Sequence, residues 1–293
     1  MVTNLAVNPR HSFEVMKNEL NENVINEGQS NMAGDTFDKF ASLKNKSCIS
    51  YGIACFRIID DNIQLLMIKK RCTYEFIEFS KGKYPIGDIR KNKDIKKILH
   101  DKFSKMTIEE KLDIYNLDHS RIWWRSHFNF TDTKQYGYSR NKFNEMFVKK
   151  DNGIFLRKML NKSNNVRQIW ELPKGRKNKK SEEDIFCATR EFCEETNIAR
   201  NAYSLIPEPV IKYSYIDGGI TYHNKLYLAI ANSVFEPKIN LEDKFQVIEL
   251  TDIKWVSEQE AYYLCENNKT LIKPIMNAFR FIKKYYSDNS VRG

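Results

Sequence analysis

The chain has few of the residues that interrupt regular structure. It holds 11 glycines and 7 prolines in 293 residues, about half the usual share. Collagen-like and linker-rich architectures are therefore excluded. Six cysteines (Cys48, Cys55, Cys72, Cys187, Cys193, Cys265) are scattered without a Cys-x-x-Cys pair, which argues against a zinc ribbon or a disulfide scaffold. None of the five histidines (His11, His100, His119, His127, His223) has metal-ligand spacing. No uncharged apolar run approaches the roughly 18–20 residues of a membrane span. The N-terminus lacks a basic-then-apolar leader. The expectation is a protein of a reducing, intracellular compartment with no membrane partner. Hydrophobic residues at 41% and charged residues at 29% are the composition of a chain that folds.

The formal net charge is +10, and it is unevenly spread. Residues 81–180 hold 26 Lys/Arg against 11 Asp/Glu, a net of +15, and the rest holds 22 against 27, a net of −5. A basic block of this kind marks contact with polyphosphate or nucleic acid. Residues 1–46 are polar and read as a poorly ordered tail, with one short helix at 11–21. Segments 48–59 and 63–70 read as a hairpin about Asp60-Asp61-Asn62. Residues 80–165 read as a basic, largely helical insertion. Its signals are an apolar spacing at Ile95, Ile98, Leu99 and Phe103, a capping box at Thr107 and Glu110, and an interrupted helix over 141–161. Trp123 and Trp124 are assigned to the core of that insertion. Mixed elements follow: strands at 166–172, 209–216, 221–230 and 247–256, and helices at 183–196, at 257–266 (opened by Ser257 and Glu260) and at 270–286.

The chemistry concentrates in Leu172 to Ile198 (LPKGRKNKKSEEDIFCATREFCEETNI). At about 100° per residue, Glu191, Glu194 and Glu195 fall within one arc of a helix. Ile185, Ala188 and Phe192 occupy the adjoining arc, and Phe186 with Cys193 a third, so packing on two sides is expected. Like charges at this spacing repel. Arg190 can pair with Glu194 or reach back to Glu182, and the remaining negative charge suits a hard divalent cation such as Mg²⁺ or Mn²⁺.

This stretch resembles the box of the Nudix hydrolases. Gly175 is followed after six residues by Glu182, and seven residues later come Arg190-Glu191, Phe192, Glu194-Glu195, Asn197 and Ile198. Two departures stand out. The first spacer is one residue longer than the family pattern, and Asn197 replaces a glycine at a position where asparagine is the next-best left-handed cap. The resemblance implies an α/β fold, the Nudix α/β/α sandwich with a mixed sheet, formed by residues 47–79 and 166–293 around the helical insertion. It implies Glu191, Glu194 and Glu195 as metal ligands, with a carbonyl at Lys174 or Gly175 joining them. It implies Glu182 with Arg190 as the brace between loop and helix, and Lys174 as a charge stabiliser on the phosphates. Glu249, in the expected strand before Trp255, is the candidate general base or further ligand.

The run WELPKG at 170–175 is similar to the entry of mRNA-decapping Nudix enzymes. The similarity extends over roughly 50–286 to decapping enzymes of large cytoplasmic DNA viruses, of the African swine fever virus type and more distantly the poxvirus type. It is carried by Lys70-Arg71, Tyr74, Glu78, Met106-Thr107-Ile108, Glu110, Leu112, Leu117-Asp118, Arg121, Trp123, Tyr215, Asp217-Gly218, Ala278-Phe279 and Phe281-Ile282-Lys283. The implied reaction is metal-dependent hydrolysis of the mRNA 5′ cap, releasing 7-methyl-GDP and 5′-monophosphate RNA. The RNA body is expected on the basic stretch 81–180, in host-cell cytoplasm, viral factory or virion. A cationic methylguanine suits aromatic stacking, with Tyr74, expected on the loop after the first hairpin, paired to Tyr215 or Tyr222 and Asp217 or Glu78 reading the guanine edge. The alternatives are a diphosphoinositol polyphosphate phosphohydrolase and a non-catalytic RNA-binding protein on the same scaffold.

Overall fold

The computed structural model describes residues 47–128, 133–217, 219–266 and 268–290; the expected tail and its helix at 11–21 lie outside them. The chain opens with β1 (Ser47–Ile59) and β2 (Asn62–Lys70), an antiparallel hairpin turned at Asp60 and Asp61. A helical run follows: α1 (Tyr74–Ser80), α2 (Lys93–Ser104), α3 (Ile108–Tyr115), α4 (His119–His127), α5 (Lys134–Phe143) continuing into a π-turn, and α6 (Ile154–Lys162). The two-residue strands β3 (Trp170–Glu171) and β4 (Lys174–Gly175) lead to α7 (Asp184–Thr196). Then come β5 (Tyr203–Asp217), β6 (Ile220–Ala231), α8 (Lys244–Glu249), β7 (Leu250–Val256), α9 (Glu258–Leu264) and α10 (Lys269–Ser290).

The sheet is mixed. β1 pairs parallel with β6 and antiparallel with β2, while β5–β6 and β2–β7 are antiparallel. β3 joins β2 and β4 joins β1, so the WELPKG segment enters the fork where the first hairpin splays. Strand alternation sends successive residues to opposite faces. Ala54, Phe56, Leu65 and Met67 face a core with Leu271, Ile275, Phe279 and Ile282 of α10. Ile53, Cys55, Leu66 and Ile68 face a second core with Cys187, Ala188 and Phe192 of α7. Helices thus cover both faces, the expected sandwich. Each fully buried phenylalanine, such as Phe56 or Phe192, adds on the order of 2 kcal/mol by leaving water.

The helical run has its own core, with Phe76, Phe79, Phe103, Ile114, Ile122, Phe143 and Phe147 buried together. It is stitched to the sheet through Glu110. This carboxylate closes the expected capping box on the Thr107 N–H at 2.9 Å, and accepts from the Thr73 N–H at 2.6 Å and the Thr73 hydroxyl at 2.8 Å. Thr73 in turn caps α1.

Several sequence expectations change. Tyr74 opens a helix rather than lying on a loop. Of 166–172 only Trp170–Glu171 is strand, opposite Lys69 and Ile68 of β2. The 141–161 helix is three pieces. Trp123 is buried but Trp124 is exposed against Phe128, with ring centres 5.0 Å apart; neighbours on a helix point about 100° apart, so both cannot face one core. Phe186 is likewise exposed while Cys193 on the same side is half-buried, so α7 packs through that third direction only toward its C-terminal end. Among the described residues, no helix is long and apolar enough to cross a membrane.

Candidate active site

Two glycines set the geometry. Gly52 of β1 lies against the fork segment, where a Cβ would stand 2.2 Å from the Pro173 carbonyl oxygen and 2.5 Å from Lys174 Cβ. Gly175 underlies the Glu191 carboxylate, which a Cβ there would meet at 2.1 Å. Absence of side chains at both positions lets β1, the Pro-Lys-Gly loop and α7 close onto one another.

Arg190 locks loop to helix. Its guanidinium donates to Glu182 Oε1 at 2.9 Å and Oε2 at 3.3 Å, to the Arg176 carbonyl at 2.8 Å, to Glu191 at 2.7 Å and to Glu194 at 3.0 Å. Glu182 also accepts from the Asn178 N–H at 2.8 Å, and a turn from the Lys179 carbonyl to the Glu182 N–H at 3.0 Å takes up the longer spacer. Burial alone would raise Glu182, but the hydrogen bonds from Arg190 and Asn178 hold it below the usual carboxylate range. The helix ends as expected, on Asn197 in the left-handed conformation (φ 56°) with its N–H on the Cys193 carbonyl at 2.9 Å.

The three box carboxylates have different surroundings. Glu191 is nearly buried over Gly175, and burial pushes its carboxyl up to about 7. Glu194 is exposed beside Arg190. Glu195 is buried; its Oε2 accepts from the Lys174 N–H at 2.8 Å and its Oε1 from Lys70 Nζ at 2.6 Å. Burial, with Glu249 and Glu171 close by, raises Glu195 despite Lys70. Gln246 of α8 braces the same residue through its main chain, donating to the Glu195 carbonyl at 2.9 Å.

Lys70 and Glu171 join the site, although the sequence showed them only within the resemblance and assigned them no role. Glu171 is buried between Lys174 Nζ at 2.6 Å, the Tyr74 hydroxyl at 3.1 Å and Lys70 Nζ at 3.6 Å. Burial would raise it, yet Lys174 and Lys70 prevail and keep it ionised. Lys174 is correspondingly held well above its ordinary value: burial lowers it, and Glu171 more than offsets that. Glu249 closes α8 rather than lying in a strand, because Asp243 caps a short helix just before β7. The Arg71 N–H on its carbonyl at 2.7 Å still brings it to the site, with its carboxylate 3.4 Å from Lys70. The signal available in the sequence was period two: Leu66, Ile68 and Lys70 share one face of β2.

The residues suggested for a base-stacking site lie on α1 (Tyr74, Glu78) and on the β5–β6 hairpin (Tyr215, Asp217, Tyr222). Tyr215 and Tyr222 pair across β5 and β6 and stack on each other at 5.1 Å and 14°. Tyr74 has a half-exposed ring. Asp217 pairs with Lys105 at 3.3 Å, and Lys105 also reaches Glu75 at 3.4 Å, tying the helical run to the β5–β6 tip. Glu78 pairs with Lys83 at 2.9 Å. A groove of about 710 Å³ lies elsewhere, between α9, α10 and Arg167, and no box residue lines it.

Carboxylates are hard oxygen donors whose chemistry fits Mg²⁺ or Mn²⁺. Here Arg190 and Lys70 lie on them, and among the described residues no three carboxylate, imidazole or thiol groups converge as a ready cage. Side-chain rotation of Glu191, Glu194 and Glu195, all on one face of α7, would be needed to bring them together.

No family model matches the chain. The mRNA-decapping protein g5R of African swine fever virus (isolate Warthog/Namibia/Wart80/1980) is 31% identical over 243 residues, covering 80% of this chain and 96% of that protein. The chain belongs to this family of viral mRNA-decapping proteins. The g5R protein of the Badajoz 1971 strain is also 31% identical, over 94% of its length. Two solved structures align as well. A C. elegans Ap4A hydrolase binary complex matches over 80% of this chain and 96% of its own, at 12% identity and a TM-score of 0.41. A NUDIX hydrolase from Nitrosomonas europaea matches over 81% and 91%, at 13% identity and a TM-score of 0.36. The alignment of this decapping-family chain with the viral g5R proteins spans nearly their whole length, so it is not confined to the box.

Proposed function

We propose that the protein hydrolyses the pyrophosphate of the mRNA 5′ cap, releasing 7-methyl-GDP and 5′-monophosphate RNA. The observation that carries this is the packing of Glu191 and Glu195 of the box helix onto the Pro-Lys-Gly loop, in a chain of the g5R family. Glu191, Glu194 and Glu195, with the Gly175 carbonyl, would hold Mg²⁺ or Mn²⁺. When bound, such an ion polarises phosphoryl oxygens and lowers the pKa of a water. Arg190 and Glu182 keep the loop and helix in register. Lys174 fixes Glu195 through its main chain and directs an ammonium, paired with Glu171, at the same place. Glu249, half exposed beside Lys70, takes the proton from the attacking water.

In this reading Tyr74 and the Tyr215–Tyr222 pair form the platform for the cationic guanine. Asp217 or Glu78 accepts from the guanine edge by exchanging its surface lysine, a weak tie at such exposure. The basic helical unit, about 80–165 and rich in exposed lysines such as Lys91, Lys93 and Lys97, receives the RNA body through its phosphates. Its place of action is the host-cell cytoplasm, viral factory or virion. Cap-labelled RNA incubated with the protein and Mg²⁺ should yield 7-methyl-GDP. Cleavage of diphosphoinositol polyphosphates without any cleavage of capped RNA would replace this reading.

A further inference from the structure

Lys70 stands where β2 ends and its pairing with β7 shifts register between Lys69 and Lys70. Its side chain is 14% exposed, and its ammonium lies 2.6 Å from Glu195, 3.4 Å from Glu249 and 3.6 Å from Glu171. All of these described partners are carboxylates. Arg190 differs: it is also bound to the Arg176 carbonyl and to Glu182, so its position is fixed by the loop. Glu195 is held at Oε2 by a main-chain N–H and at Oε1 by Lys70. The first contact belongs to the backbone and stays, whereas the second is a side chain with two other carboxylates to turn to.

We propose that Lys70 is an internal counter-cation of the box that competes with the divalent ion for Glu195 and so sets how much metal the enzyme requires. This rests on the reading of the box as the metal site. Two ammonium charges, Lys70 and the Lys174 already on Glu171, face the three carboxylates Glu171, Glu195 and Glu249, while a divalent ion at Glu195 leaves Lys70 for Glu249. Lys70 is a positioning residue. It holds the buried Glu195 carboxyl aimed through Oε1 before metal arrives, and yields Oε1 when metal binds. The competition lowers apparent metal affinity, and removing it should tighten binding.

The test is Mn²⁺ binding without substrate, by calorimetry and by the electron paramagnetic resonance of free Mn²⁺. Lys70→Met should bind Mn²⁺ about tenfold more tightly than the wild type, the scale of one charge-assisted hydrogen bond no longer given up. It should also melt lower without metal and gain more on adding it. Equal or weaker Mn²⁺ binding by folded Lys70→Met overturns the proposal. Should that variant fail to fold, the wild type decides: the Lys70 side-chain NMR resonance, assigned by its loss in Lys70→Arg, should move in step with added Mg²⁺. A resonance that stays in place while Mg²⁺ binds overturns the proposal alone. Failure of the wild type to bind Mn²⁺ or Mg²⁺ overturns it together with the metal reading of the box.

Discussion

Replacing Gly175 by alanine probes the contact between the Pro-Lys-Gly loop and the box helix. The added Cβ would lie 2.1 Å from the Glu191 carboxylate, where ordinary contact begins at 3.4 Å, so the carboxylate must retreat by about 1.3 Å. What it meets is the far end of a flexible side chain, so the fold yields cheaply. A cost near 1 kcal/mol would lower Tm by only about 2–4 °C in a chain of this size. Activity is more sensitive, because a misplacement of about 1 Å in a reacting constellation costs on the order of 100-fold. Cap-labelled RNA hydrolysis in saturating Mg²⁺, with Tm measured on the same preparation, should show this split. A Gly175→Ala protein within about threefold of wild-type kcat/KM would refute the claim that Glu191 must rest on this loop.

Other consequences are as direct. Glu110→Ala leaves the Thr73 N–H and hydroxyl and the Thr107 N–H without their buried acceptor, so thermal denaturation should show a loss of about 3–5 kcal/mol; an unchanged Tm contradicts the stitch. Tyr215→Ala with Tyr222→Ala should raise KM for capped RNA while leaving Tm nearly unchanged, and an unchanged KM removes the pair from recognition. Burial holds Glu191 near 7 and also raises Glu195, so from the ordinary carboxyl range up to about 7 the folded chain carries more protons than the unfolded one. Without divalent ions, stability should therefore fall as pH rises from about 6.5 toward 8. The buried, depressed His119 and His127 act the opposite way, but below their ordinary value of 6.5. A Tm that climbs over that interval, in divalent-free buffer, contradicts the burial of the box carboxylates.

Much of the site was legible because it is local. One stretch encodes the helix face, the Arg190–Glu182 brace and the Asn197 cap, all readable from helical spacing and cap chemistry. What was missed is assembled from separate segments. Lys70 comes from the end of β2, Glu171 from a two-residue strand in a fork, and Gln246 from α8; only the sheet topology brings them to α7. Glu249 was placed correctly near the site but on the wrong element, since an aspartate cap at 243 outweighed the apolar run leading into β7. Tyr215 and Tyr222, given by the sequence as alternative partners of Tyr74, are cross-strand neighbours, and hairpin register is weakly encoded around a turn of glycines. Trp124 and Phe186 show that an aromatic residue on an amphipathic helix is not thereby core.

The central claim is that the box carboxylates drive cap hydrolysis, and the direct measurement is release of labelled 7-methyl-GDP from capped RNA in Mg²⁺ and separately in Mn²⁺, with Glu195→Gln alongside. If the box carboxylates act in this way, the wild type yields product in at least one metal and the folded variant loses on the order of 100-fold or more. No product from the wild type in either metal, or full activity in Glu195→Gln, would contradict it.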